Sequence, residues 1–240
     1  MAVFATYIIN YTIPRAGEVA RASVLTNYEG VPFEKSFGTI VSERLADMLV
    51  MLVIISMALI LQFDVIFIQF SEKIKELHVS TNQILTLAIA SLIVIVFLTR
   101  MIKRGKSKAV IKIKSVLSGL LEGITSILKM KKKWAFIFHT IFIWTMYVAM
   151  FWATIPAIQG LEVPVGGILV GFIAGGFSIA ATNGGIGSYP LAVTGAFLLF
   201  NLPESPSEAF GWIMWSAQTL MIIVFGGLAF LVLPIYNKKK

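Results

Sequence analysis

The chain has 240 residues, of which 58% are hydrophobic and 13% charged, with a formal net charge of +8 and a mean hydropathy of +0.87. Soluble domains carry about 45–50% apolar and about 25% charged residues, so the composition excludes an ordinary soluble enzyme, a disordered chain and a secreted disulfide scaffold. With no Cys and two His, at 78 and 139, the chain offers no thiol nucleophile and no thiolate or histidine-built metal site.

A helix needs roughly 20 mostly apolar residues to cross a bilayer core of ~30 Å. The first apolar stretch, residues 2–13, is too short for this and lacks the basic flank and cleavage site of a signal peptide. It reads either as a chain begun late or as a half-membrane segment buried against other helices. Residues 48–63, extendable to 68 past Asp64, residues 84–98, 134–155 and 209–236 are clear spans, and 165–181 and 191–200 are weaker ones. The fold class is therefore all-α: a polytopic helical membrane protein, one transmembrane domain over 1–240, with Gly/Pro-interrupted helices able to re-enter the membrane.

Lys and Arg in short loops mark the cytoplasmic side. The connection 100–133 holds Arg100, Lys103, Arg104, Lys106, Lys108, Lys112, Lys114, Lys129, Lys131, Lys132 and Lys133 against one acid, Glu122, and the chain ends Lys238-Lys239-Lys240. The connections 156–164 and 201–208 carry no Lys or Arg, only Glu162, Glu204 and Glu208. The basic connection and the C-terminus are expected inside, those two connections outside. The positive charge is then a topology signal and no reason to expect a nucleic-acid partner. Within 100–133 apolar residues recur at helical spacing between basic flanks. That pattern suits an amphipathic helix on anionic lipid, or a cytoplasmic connector packed on its neighbours.

Three segments are candidates for chemistry. Arg15, Glu18 and Arg21 are spaced by three, so on a helix they fan over one arc and can pair with each other. Two guanidiniums with a carboxylate between them suit a lipid phosphate, though an amphipathic surface helix with ordinary ion pairs has the same spacing. Glu43, Arg44 and Asp47 stand just before the run starting at Met48, with Arg44 and Asp47 as i,i+3 neighbours. Charges entering a membrane helix are costly unless paired or wet, so they point to function or mark the boundary. The break at Gly30-Val31-Pro32 divides 14–47 into two short cytoplasmic or interfacial helices.

The third segment, Thr182-Asn183-Gly184-Gly185-Ile186-Gly187-Ser188-Tyr189-Pro190, forbids continuous helix between the two weak runs. Irregular backbone at membrane depth survives only where protein buries it or it lines a wet cavity, and paired interruptions mark transport sites. The stop at Pro14 and the break at Asn183 are such a pair, although a plain cytoplasmic turn also fits the residues. Gly167, Gly171 and Gly175 bare one stripe of the preceding helix and allow close helix approach. No Walker A, H-E-x-x-H or G-x-S-x-G motif is present, so no cofactor and no enzymatic activity are expected. His139 reads as packed within a span, and Ser188 has no neighbouring base in sequence.

Pro14-Arg15-Ala16-Gly17-Glu18 with Arg21, the downstream Glu43-Arg44-Leu45-Ala46-Asp47 before a long apolar run, and Gly184-Gly185-Ile186-Gly187 between two short ones resemble the lysylphosphatidylglycerol synthase transmembrane-region, or flippase-like, family. The resemblance covers nearly the whole chain, and members usually carry about two further N-terminal helices, which makes Met1 look like a late start. It implies a bacterial or archaeal inner-membrane protein that moves a phospholipid or lipid-linked headgroup between leaflets. Relatives with a cytosolic synthase domain also transfer amino acids, an activity not expected of a chain with four residues after Tyr236. Where many members read Pro-Gly-Gly-Ile-Gly followed by Glu, this chain has Asn183 for the Pro and Pro190 near the acid, so that acid's role is not carried over.

The expected partners are the membrane and an anionic or aminoacylated phospholipid or lipid-linked substrate, and a homo-oligomer is compatible with the sequence. The candidate substrate-binding residues are Arg15, Glu18, Arg21, Glu43, Arg44, Asp47, Asn183, Gly184, Gly185, Gly187 and Ser188. The alternative function is a non-catalytic membrane partner of a lipid- or glycan-synthesising enzyme; an intramembrane enzyme would need an acid/base or metal constellation that the sequence does not assemble.

Overall fold

The computed structural model describes residues 1–13, 16–65, 67, 68, 86, 89 and 125–237. The expected span at 84–98, apart from residues 86 and 89, His78, residues 100–124 of the basic connection and Lys238 to Lys240 lie outside them. Every regular element described is a helix, as expected. One compact unit comprises 1–62 with 134–240, the other 63–133. Of the second unit, residues 125–129 are helical with Ile127 buried, and the rings of Phe63 and Phe67 stack at 5.8 Å.

The first unit contains seven α-helices: α1 (Ala2–Thr12), α2 (Gly17–Glu29), α3 (Phe33–Leu61), α4 (Lys133–Thr154, whose first residue falls in the other unit), α5 (Val165–Ala181), α6 (Ser188–Leu198) and α7 (Glu204–Tyr236). By length and composition α3, α7 and α4 with its 3-10 extension to Ala157 can each cross a membrane. Large apolar residues such as Ile60, Trp134, Leu231 and Ile235 are exposed along them. Apolar surface on that scale is stable only against lipid or another protein.

The expected break at 30–32 is present: Gly30 closes α2 in the left-handed conformation (φ 66), and Pro32 precedes α3. The helix that follows is not short, however. It continues through the charged cluster to Leu61, because nothing between Phe33 and Met48 breaks helical hydrogen bonding and Glu43, Arg44 and Asp47 all find partners. The last helix begins at Glu204, ahead of the apolar run at 209: its first turn is polar, with Pro203 before it and Glu204 at the positive end of its dipole.

The core lies where α4, α5, α6 and α7 converge. Phe151 meets Phe210 at 4.8 Å and Phe197 at 6.1 Å between ring centroids, and Ile155, Leu161, Ile168, Tyr189, Val193 and Met214 complete the cluster. The glycine stripe makes this approach possible. A Cβ on Gly171 would stand 2.7 Å from Phe197 Cε1, and one on Gly175 2.5 Å from Tyr189 Cε2. In lipid, where apolar burial favours no partner over another, close van der Waals packing of this kind holds helices together.

Candidate functional site

Two helical hairpins meet halfway along α7. In the first, α1 packs on α7 in antiparallel sense, with the Phe4 ring tilted against that of Phe225, Ile8 against Gly226 and the Tyr11 hydroxyl 3.2 Å from Thr219 Oγ1. The chain then reverses. Asn10 Oδ1 accepts a hydrogen bond from the Gly17 N–H at 2.7 Å, and Gly17 lies so close to Thr6 that no side chain would fit, which sets α2 directly against α1. Residues 2–13 are thus half-membrane in length and packed on other helices. The second hairpin is α5 and α6. Phe197 packs on Phe210, Pro190 on Gly211, and the Trp215 indole N–H donates to the carbonyl of Gly184 at 2.8 Å.

At ~1.5 Å per residue α6 is only ~16 Å long, about half a bilayer core, so the turn at its start stands beside the middle of α7. Trp215 and Thr219 are one turn apart on the same face. One hairpin therefore reaches the middle of α7 from its N-terminal end and the other from its C-terminal end. The tips touch: Asn183 Nδ2 donates to the Tyr11 carbonyl at 3.4 Å, and Gly184 faces the Tyr11 ring. The turn owes its shape to Gly184, Gly185 and Gly187, all at positive φ (73, 74 and 69), a region costly for residues with a Cβ. Ser188, at the start of α6, shares hydroxyl contacts with Ser178 (2.9 Å) and Thr182 (3.0 Å).

The charges form a second group. Arg21 on α2 donates twice to Glu43 on α3, Nη1 to Oε2 at 2.6 Å and Nη2 to Oε1 at 3.1 Å. The expected pairing of Arg21 with Glu18 is not found: Arg21 takes Glu43, because the α2–α3 hairpin sets that carboxylate within reach of both Nη atoms. Glu18 has no ion-pair partner among the described residues, and Pro14 and Arg15 lie outside them. Arg44 and Asp47 pair at 3.5 Å, as their spacing suggests. Asp47 also accepts a hydrogen bond from Trp144 Nε1 at 3.0 Å.

That last contact sets the position of Asp47 along α4. Trp144 lies midway along α4, so Asp47 stands beside the middle of a membrane-crossing helix and not at its end. Three residues on, Tyr147 makes an edge contact with Trp144, and its hydroxyl meets that of Tyr7 on α1 at 3.5 Å. A polar seam thus runs from Arg44 through Asp47, Trp144 and Tyr147 to Tyr7, and one turn further on α1 reaches Tyr11 and the Asn183 turn.

Tyr7, Tyr11, Trp144, Tyr147, Trp215 and Thr219 were not among the expected site residues. Their signal in the sequence is slight: polar-tipped side chains repeating at i,i+3 or i,i+4 inside apolar runs, where an aromatic reads equally well as packing. Among the described residues no three His, Asp or Glu side chains are grouped as a metal would require.

No curated protein and no solved structure matches the chain. Residues 1–227 match the family described as Lysylphosphatidylglycerol synthase TM region, a match that takes in both hairpins, all four paired charges and the core beneath them. The chain is a membrane protein and belongs to the lysylphosphatidylglycerol synthase transmembrane-region family.

Proposed function

We propose that the protein is a lipid translocase that moves a phospholipid or lipid-linked headgroup between leaflets without an ATPase or other enzymatic activity of its own. The observation that carries the reading is the meeting of two interrupted hairpins halfway along α7, beside charges held at the depth of Trp144. Helix interruptions and ionisable groups are both expensive in hydrocarbon and are kept where a polar substrate must pass. Arg15 and Arg21 receive the phosphate, Glu18 and Glu43 balance them, Arg44 and Asp47 hold the cytoplasmic gate, set part-way into the membrane by the Trp144 contact, and residues 183–188 line the path. The substrate is an anionic or aminoacylated phospholipid. The protein sits in the bacterial inner membrane, with the connections 156–164 and 201–208 outside and the C-terminus inside.

Leaflet exchange in proteoliposomes tests this, using fluorescent phosphatidylglycerol, its lysyl ester and a neutral lipid. Exchange of the anionic or aminoacylated lipid above that in empty vesicles is expected, with Arg15→Ala/Arg21→Ala slowing it at least about tenfold, the scale of a lost charge-assisted contact. Absence of exchange by the folded chain would favour the non-catalytic partner of a lipid- or glycan-synthesising enzyme instead. Unchanged exchange in the folded double variant would remove the phosphate role of the arginines.

A further inference from the structure

Arg21 and Glu43 are joined in the two-pronged geometry by which a guanidinium also takes two oxygens of a phosphate. The carboxylate occupies the fork that a phosphate would need. The pair is not sealed, since the side chains keep 20% and 34% of their surface accessible. Its members stand on different helices, so it can part by side-chain motion or by movement of α2 against α3 with both helices intact. The nearby carboxylate Asp47 is already engaged by Arg44 and Trp144 and is not a substitute partner for Arg21.

A guanidinium with only 20% of its side-chain surface accessible is costly to leave unpaired, so the protein without substrate needs an anion on Arg21. We propose that Glu43 is a resident stand-in for a phosphate oxyanion: it holds Arg21 and pins α2 to α3 in the empty protein, and an incoming phosphate displaces it toward water and unpins the α1–α2 hairpin. This rests on the reading of Arg21 as a phosphate-receiving residue. It adds that Glu43 competes with substrate and does not assist its binding.

The test is binding of dihexanoylphosphatidylglycerol and, separately, of inorganic phosphate to the whole chain in nanodiscs of neutral lipid, with thermal melting as the control for folding. Glu43→Gln keeps the shape and removes the competing charge, and should tighten binding about tenfold. Arg21→Gln should abolish binding, and the double variant should behave like Arg21→Gln alone. Tightening confined to the lipid would identify the headgroup as the displacing anion, and equal tightening for inorganic phosphate would identify free phosphate; either supports the stand-in.

Binding by Glu43→Gln that is unchanged or weaker than wild type would overturn it. Should Glu43→Gln not fold, Glu43→Asp, which draws the charge back by one methylene, must show the same tightening or the proposal fails. Leaflet exchange by the same variants separates the two readings. Tightened binding without exchange would leave the stand-in and remove the translocase, whereas exchange with no tightening would do the reverse.

Discussion

Asp47 shows what one residue costs and gains at membrane depth. Its charge is tolerable because Arg44 neutralises it and the Trp144 indole supplies a hydrogen bond. Trp144→Phe keeps the ring contacts with Tyr147 and Phe172 and removes only the donor. It should lower stability by about 1.5–3 kcal/mol, the range for a hydrogen bond to a charged group, measured as a drop in Tm in detergent. Thr194 presents the opposite case: its hydroxyl is buried without a hydrogen-bond partner among the described residues. Thr194→Val, nearly the same shape without the polar atom, should be neutral or stabilise by about 1 kcal/mol in the same assay.

At the scale of elements, glycines with different surroundings should respond in different directions. Gly175 and Gly171 lie under the rings of Tyr189 and Phe197, so Gly175→Ala or Gly171→Ala should cost about 1–3 kcal/mol by overpacking. Gly38 is inside α3 with no neighbour that an added methyl would meet, and Gly38→Ala should stabilise by roughly 0.5–1 kcal/mol through backbone entropy. In the α5–α6 turn, Gly187 is open but at positive φ, so Gly187→Ala should cost only the backbone strain of about 1–3 kcal/mol. Gly185 is also at positive φ and is hemmed in by Ile179 and Tyr189, so its Ala variant should be the worse of the two. The ranking of melting temperatures checks all five.

For the whole molecule, the proposed orientation puts the N-terminal end of α7 outside and its C-terminal end inside. Because the chain has no Cys, single cysteines can be introduced without removing native thiols. Glu204→Cys in right-side-out cells should react with an impermeant maleimide, and Asn237→Cys should react only after permeabilisation. The reverse pattern would invert the topology. Asn183→Cys, at the tip of the second hairpin, should react with a small polar thiol reagent if water reaches the seam, whereas a dry, packed tip would leave it unreactive.

The class of the molecule follows from the sequence alone, because run length and the price of burying backbone in lipid leave only a helical bundle for a chain of this composition. The breaks are equally legible: Gly30 and Pro32, and the glycines at 184, 185 and 187, carry backbone requirements that no context can override. Single contacts between neighbours were legible too, as with Arg44 and Asp47. Tertiary structure decided what each break and charge is for. Read in order, 2–13 is a half-length apolar stretch and 182–190 can be a plain loop; packed on α7, their tips, Tyr11 and Asn183, meet near its middle. Arg21 passes over the nearby Glu18 for Glu43, and Asp47 finds an indole from α4, far along the chain. The physical reason is that periodicity reports which face of a helix is apolar, while depth and partner choice are set by where other helices pack, a relation between distant segments that no local spacing records.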